Sequence, residues 1–170
     1  EKNYKQAVKW YQKAAKQGHV ASQNNLGLMY KNGHGLSQYN LDVNQYHRHA
    51  VKWFSKAAKQ GDPAAEFNLG MMYKNGMGVV QNYEEAVKWF RKSAEKGFKD
   101  AQFNLGLMYQ RGKGIKQDHI HAHMWFSIAS VNGEYASYLT RGLRIKQLKI
   151  EDELRARRLA LNCKRKKYKN

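Results

Sequence analysis

An internal repeat restricts the fold of this chain more than any other feature of its sequence. The pair Ala-x-x-Trp recurs at 7/10, 50/53, 86/89 and 122/125, so that successive copies lie 43, 36 and 36 residues apart. The segment Asn-Leu-Gly-x-Met-Tyr recurs in phase at 25–30, 68–73 and 104–109, and Gly-x-Gly at 33–35, 76–78 and 112–114. A period of this length is typical of stacked helix pairs, because one pair cannot bury its apolar face alone. We therefore expect an all-α fold, a right-handed α/α solenoid (superhelix) of stacked antiparallel helix pairs.

Each repeat predicts two helices. In the third repeat, one face of the first helix follows the 3.6-residue period, with Ala86, Trp89, Phe90, Ser93 and Ala94 at i, i+3, i+4, i+7 and i+8. Gly97 then supplies the left-handed residue that ends this helix, and Asp100 is a suitable N-cap for the second. Gly106, inside the second helix, predicts a close approach of the first helix, where Trp89 needs room. We expect Trp53 and Trp89 to be buried between neighbouring repeats.

The repeats predict a single domain over residues 1–170. Helices are expected near 4–17, 21–32, 46–60, 64–75, 83–96, 100–111, 119–132, 135–146 and 150–166. They group into repeats at about 4–38, 46–82 and 83–118 and a half repeat at 119–133, followed by a C-terminal cap over 134–170. The cap helices would cover an apolar end that otherwise meets water. Seven extra residues lie within 37–44, just before the second repeat.

These motifs resemble the Sel-one-like repeat family, a branch of the tetratricopeptide-like helical repeats, over residues 4–133. The tail is similar to the ending of bacterial members, with Asn132-Gly133, Arg141 and a charged helix that closes on Arg158-Leu-Ala-Leu161. The fourth unit departs from the pattern, because no Asn-Leu-Gly-x-Met-Tyr follows Gly133. The resemblance implies a scaffold, adaptor or partner-recognition role, and it names no partner.

The chain is strongly basic, with 31 Lys and Arg against 13 Asp and Glu and a net charge of +18. Residues 1–60 and 119–170 each carry a net +8, whereas residues 61–118 carry only +2. Such a field favours acidic partners: an acidic protein, nucleic acid or an anionic surface. The sequence contains no run of 18 apolar residues, so it predicts no transmembrane segment. The first residues already have a helical pattern, so we expect any signal peptide to be absent from this sequence.

Catalytic, cofactor and metal sites are not predicted. The sequence has no paired-carboxylate motif, no nucleophile beside a base and no cofactor fingerprint, and its single cysteine, Cys163, lies far from the histidines. Gly-x-Gly recurs at one repeat phase without a preceding strand, which indicates a turn rather than a phosphate loop. His119 and His123 are four residues apart, but His119 takes the repeat position of Tyr4, which favours packing over metal binding. The tryptophans lie on the apolar stripe and are expected in the core.

Two features remain as candidate partner-binding sites. Lysines recur off the apolar stripe of each first helix, and stacked repeats would align them into one positive surface; they are Lys9, Lys13, Lys16, Lys52, Lys56, Lys59, Lys88 and Lys92. The alternative is an ordinary solvated face. The second candidate is the insert before the second repeat, with Tyr39, Leu41 and Asp42, because long loops often carry recognition. A basic tail at 164–169 is a weaker candidate for contact with nucleic acid or lipid.

The predicted function is a non-catalytic protein–protein interaction module, an adaptor that holds an acidic protein on the surface of its first helices. One alternative is an immunity protein that neutralises a secreted bacterial effector. Another is binding of nucleic acid or an anionic surface through charge, although few exposed aromatic residues accompany the lysines and nucleic acid is therefore disfavoured. The compartment and the oligomeric state are not fixed by the sequence, and a periplasmic or secreted location in a bacterium is favoured over the cytoplasm.

Overall fold

The computed structural model describes residues 3–130 and 150–167 of the chain. Within these residues there are helices and turns and no strand. The helices are α1 (Tyr4–Lys16), α2 (Val20–Asn32), α3 (Val43–Lys59), α4 (Pro63–Asn75), α5 (Tyr83–Glu95), α6 (Lys99–Arg111), α7 (His119–Ala129) and α8 (Ile150–Lys167), with one turn of 3₁₀ helix at Ser37–Tyr39. The helix expected at 135–146 lies outside the described residues. The remaining predicted helices are confirmed, with most ends within one or two residues.

Glycines end the helices as the sequence predicts. Gly97, which follows α5, adopts φ 90°, and Gly112, at the C-terminal end of α6, adopts φ 63°. Both values lie in the left-handed region, which costs other residues energy and costs glycine little. The second glycine of Gly-x-Gly has another role. A Cβ atom on Gly78 would lie 2.6 Å from the backbone nitrogen of Arg48, so the exit turn can reach α3 only without a side chain.

Two helix starts differ from the prediction. Helix α3 begins at Val43 because Asp42 caps it: its side chain accepts a hydrogen bond from the Gln45 N–H at 2.8 Å, and the Gln45 side chain accepts one from the Asp42 N–H. The assignment of Asp100 as an N-cap is wrong. Helix α6 begins at Lys99 with Phe98 as the N-cap, in the repeat position that Asp62 holds before α4. Asp100 lies in the first turn instead, where its charge favours the helix N-terminus.

The chain divides into two compact units, residues 1–93 and 94–170. In the first unit, α1 packs on α2, α2 on α3 and α3 on α4. Its core contains Val8, Leu26, Phe54, Leu69 and Phe90, none more than 1 % exposed. In the second unit, α6 packs on α7 and α7 on α8, and Leu105 and Ala156 are fully buried. The single-domain organisation that the repeats predict stays a prediction.

Each second helix meets the following first helix at a glycine. The glycine of Asn-Leu-Gly lies against an aromatic ring, and the pairs are Gly27 with Phe54, Gly70 with Phe90 and Gly106 with Phe126. The prediction that Gly106 allows the close approach of an aromatic ring is therefore confirmed, but the predicted partner is wrong. The ring belongs to Phe126 of α7 and not to Trp89. The repeat accounts for this choice, since Gly27, Gly70 and Gly106 each contact the first helix of the following repeat.

Buried amides tie the helices of the first unit together. The Gln23 side chain donates to the carbonyl oxygen of Ala15 at 3.1 Å and accepts from Gln60 Nε2 at 2.8 Å. Asn68 of α4 donates to Asn24 of α2 at 3.0 Å. A buried polar group is costly unless it is paired, so these bonds fix the relative placement of the helices.

Candidate protein-binding surface

The eight lysines that the sequence singles out all lie in the first unit and are all exposed. They occupy the outer sides of α1, α3 and α5, one or two turns apart on each helix: Lys9, Lys13 and Lys16, then Lys52, Lys56 and Lys59, then Lys88 and Lys92. We refer to these eight residues as the lysine surface. Their exposure follows from the repeat, because the apolar stripe of each helix faces the core and these positions fall outside it.

A row of three lysines is ordered by the repeated tryptophans. The Nζ atom of Lys56 lies 4.8 Å from the ring centroid of Trp53, and that of Lys92 lies 4.6 Å from the centroid of Trp89. Lys13 lies 6.0 Å from the centroid of Trp10. The contacts arise because Trp and Lys are three residues apart, which places them side by side on a helix. A cation–π contact restricts the lysine side chain, and all three lysines remain exposed.

Acidic side chains weaken the lysine surface on α5 only. Helices α1 and α3 contain no Asp or Glu, whereas α5 contains Glu84, Glu85 and Glu95. Lys88 Nζ lies 2.6 Å from a carboxylate oxygen of Glu85, and this hydrogen bond raises the pKa of Lys88 above its ordinary value. The ammonium group of Lys88 is already partnered, so the positive potential is strongest on α1 and α3.

A shallow groove runs along α1 and includes two residues of the lysine surface. Its volume is about 610 Å³, and it is lined by Asn3, Lys5, Gln6, Lys9, Trp10 and Lys13. The Trp10 side chain forms its apolar part and is 62 % exposed, in contrast to 9 % for Trp53 and 7 % for Trp125. The assignment of the repeated tryptophans to the core is therefore wrong for Trp10. It holds for Trp53, while Trp89 is half-buried against the core.

The insert before the second repeat is held against α1. Tyr39, 38 % exposed, receives a hydrogen bond on its hydroxyl from Gln12 Nε2 at 3.1 Å. Asn40 adopts φ 46°, the left-handed conformation that turns the chain towards α3. Leu41 is half-buried against the core and Asp42 caps α3, so both residues shape the insert. The hydrogen bond to Gln12 places the Tyr39 side chain next to α1. Recognition by this insert stays a prediction.

Two of the three histidines of α7, His121 and His123, have side-chain partners nearby in the sequence. His121 Nδ1 lies 2.7 Å from Asp118 Oδ2, and His123, which is buried, has its Nδ1 atom 3.2 Å from the hydroxyl of Ser127. His119 is half-buried. Across residues 3–130 and 150–167, no group of three potential metal-ligating side chains is found. The side chains of the basic tail from Lys164 onward lie outside the described residues.

Sequence reasoning located the lysines but missed three properties of their surroundings. The Lys–Trp contacts could have been predicted, because Lys13, Lys56 and Lys92 each follow a tryptophan by three residues. The ion pair of Lys88 could also have been predicted, because Glu85 lies three residues before it. No sequence pattern predicts the groove on α1, because the exposure of Trp10 depends on which helix packs beside it.

The Sel1 repeat family model matches residues 1–19, 20–62, 63–98 and 99–133. Two solved structures are similar at appreciable identity. A protective antigen of uropathogenic Escherichia coli strains, described as displaying an SLR fold, is 37% identical over 95% of this chain, with a TM-score of 0.82. A Sel1 repeat protein from Oxalobacter formigenes is 38% identical over 83% of this chain, with a TM-score of 0.71. The chain spans 33% and 56% of the length of these two proteins.

A third similar structure supports the fold alone. Helicobacter pylori cysteine rich protein B is 21% identical over 81% of this chain and 96% of its own, with a TM-score of 0.58. No protein of curated function matches the sequence. The described residues contain no helix long and apolar enough to cross a membrane. The all-α fold of paired helices that the repeat predicts is confirmed by these similarities.

Proposed function

Because the chain belongs to the Sel1 repeat family, we propose that it is a non-catalytic adaptor that binds an acidic protein through its lysine surface. Sel1 repeats generally mediate protein–protein interaction, and their fold is typically a non-enzymatic scaffold. The observation that carries the proposal is the surface of α1 and α3, where six lysines are exposed and no acidic side chain belongs to either helix.

The arrangement of the lysines suits recognition of carboxylates. A positive surface raises the rate at which an acidic protein arrives, and it discriminates against basic proteins more than it adds affinity. A free lysine side chain loses about 2 kcal/mol of rotamer entropy when a partner fixes it. Lys13, Lys56 and Lys92 lose less than a free lysine, because the tryptophan beside each already restricts them. These three lysines would contact the partner's Asp and Glu side chains directly.

The experiment compares two double variants of equal charge change. Lys9→Glu/Lys52→Glu alters the lysine surface at positions that do not cover a tryptophan. Lys116→Glu/Arg155→Glu alters exposed residues elsewhere. The parent chain and both variants, checked for equal helix content, are immobilised and used to capture proteins from the native source. We expect an acidic protein to be retained by the parent and the control and lost by the lysine-surface variant.

Rate constants with the captured protein then test the mechanism. Raising the salt concentration should slow association with the parent while changing dissociation little, since salt screens exposed charges beyond about 8–10 Å. The lysine-surface variant should associate slowly even at low salt. Nucleic acid would behave differently, because phosphate contacts are largely interchangeable and both double variants would lose affinity equally. If both variants bind the captured protein like the parent, the lysine surface is only a solvated face and the proposal fails.

The proposal includes a periplasmic or secreted location in a bacterium. Its support is the similarity to a protective antigen, since such an antigen must be accessible to an immune response. Fractionation of the source cells with an antibody against the chain tests the location, and recovery in the cytoplasmic fraction alone would contradict it.

A further inference from the structure

Helix α8 carries two leucines that meet water. Leu154 is 57 % exposed and Leu161 is 59 % exposed, and no other leucine of residues 3–130 and 150–167 is exposed. They lie seven residues apart, almost two full turns, so both side chains lie on one side of the helix and about 10 Å apart. Single exposed apolar residues are common on protein surfaces and need no explanation. Two leucines in line on one helix form a surface that a partner can bury.

The other side of α8 packs on the rest of the second unit. Ala156 is fully buried and Ala160 is 6 % exposed. These alanines are four residues apart and therefore share one side of the helix, and α8 packs on α7. Small side chains allow this close packing. Helix α8 is thus already held in the fold, and its two exposed leucines contribute little to that packing.

Arginines border the two leucines. Arg157 follows Leu154 by three residues and precedes Leu161 by four, and Arg158 follows Leu154 by four and precedes Leu161 by three. Each arginine is therefore a neighbour of both leucines on the helix surface, and both arginines are exposed. We refer to these four residues as the leucine–arginine surface. From Leu154 to the end of α8 the sequence contains no Asp or Glu, and acidic residues occupy only the first turn, at 151–153.

We propose that the leucine–arginine surface binds an acidic amphipathic helix of a partner protein. A helix with apolar side chains seven residues apart would place one against each leucine, and Asp or Glu beside them would meet the arginines. Arginine suits this role because its guanidinium group can donate two hydrogen bonds to one carboxylate.

The same features disfavour two other occupants. A second copy of the chain on this surface would bring like-charged arginines together, which costs energy. Binding of a helix to a lipid surface scales with the apolar area that enters the bilayer, and two leucines provide little. An acidic helix avoids both penalties.

This binding site is independent of the lysine surface. The eight lysines belong to the first unit, whereas α8 belongs to the second. The inference can therefore fail while the proposed function holds, and the reverse is also true.

A synthetic peptide tests the inference on the full chain. The probe is a fluorescent helical peptide with leucines seven residues apart and glutamates at the neighbouring positions. Two matched peptides replace its leucines by serine or its glutamates by lysine. Fluorescence anisotropy measures the dissociation constant of each peptide, and hydrogen exchange shows whether residues 150–167 are protected.

Two variants of the chain remove the two parts of the surface. Leu154→Ser/Leu161→Ser removes the apolar contacts, and Val80→Ser is its control at another exposed apolar residue. Arg158→Glu reverses the charge beside both leucines. Arg155→Glu makes the same change on the same helix, at a position one residue after Leu154 that neighbours neither leucine. All these positions are exposed, so the variants should keep the stability of the parent, which thermal unfolding checks.

We expect the acidic leucine peptide to bind the parent and to slow exchange in α8. Loss of the leucines or reversal of Arg158 should weaken binding by at least about tenfold, and both control variants should bind like the parent. Lys9→Glu/Lys52→Glu should also bind like the parent, which separates this result from the proposed function. The inference is wrong if the peptide leaves α8 unprotected, if the serine peptide binds equally well, or if the leucine variant binds like the parent.

Other ligand classes are tested in the same exchange experiment. Vesicles of phosphatidylcholine and phosphatidylglycerol offer an anionic lipid surface, and a DNA duplex offers phosphates. Protection of α8 by either ligand as strong as that by the acidic peptide would contradict the inference, because charge alone would then account for binding. Protection of α8 that grows with the concentration of the chain alone would identify a second copy as the occupant and would also overturn it.

Discussion

The ring of Phe54 packs so closely on Gly27 that a Cβ atom at position 27 would lie 2.5 Å from Cε1 of the ring. Phe54 is fully buried, so it has no open space to move into. The contact joins the second helix of the first repeat to the first helix of the second. Equivalent contacts at Gly70 and Gly106 show that this spacing between helices recurs along the chain.

Gly27→Ala should therefore destabilise the protein, although alanine favours a helix over glycine by about 1 kcal/mol. Overpacking of this kind typically costs about 1–3 kcal/mol, and denaturant unfolding would measure the loss. The double variant Gly27→Ala/Phe54→Leu serves as the control, since it should lose less than the two single variants together. A Gly27→Ala protein more stable than the parent would show that the helices separate easily.

The tryptophans of the first two repeats should respond very differently to the same change. Trp53 is buried, so Trp53→Ala should lower the free energy of unfolding by about 3–5 kcal/mol. Trp10 is 62 % exposed, and Trp10→Ala should cost no more than about 1 kcal/mol. Denaturant titrations of the two variants give the comparison directly. Equal losses would mean that Trp10 is covered in solution and would contradict the open groove on α1.

Much of the fold was predictable because the stripe period and the terminating glycines are local properties. Gly97 and Gly112 end their helices where the sequence indicates. The repeat pattern predicts a start for α3 near residue 46, whereas the capping box of Asp42 and Gln45, which has a sequence signature, starts the helix at Val43. Residue type predicts Asp100 as an N-cap, whereas α6 begins at Lys99 after Phe98, the residue that follows Gly97.

The candidate surface was predictable only in part, because contacts between helices are not local. The exposure of the lysines follows from their position off the stripe of their own helix. The exposure of Trp10 does not follow from its position on the helix, since the tryptophan at the same repeat position is buried at 53 and half-buried at 89. Its burial depends on a neighbouring helix that the sequence pattern of α1 cannot reveal. The groove is therefore a property of helix packing and not of the sequence of α1.

Asp118 should make the stability of the protein depend on pH in the acidic range. Burial opposes ionisation of this N-cap residue of α7, but hydrogen bonds from the backbone and ring of His121 outweigh it and lower the pKa below the ordinary 3.8. A lowered pKa adds stability that is present above the unfolded value and is lost as the pH falls through the folded value.

Asp118→Asn keeps a capping oxygen and removes the charge, so it isolates this effect. The free energy of unfolding of the parent should exceed that of Asp118→Asn at about pH 6, and the difference should shrink on acidification to about pH 2. Chemical denaturation at a series of pH values would measure it. A difference that stays constant over this range would mean that the carboxylate charge adds no stability.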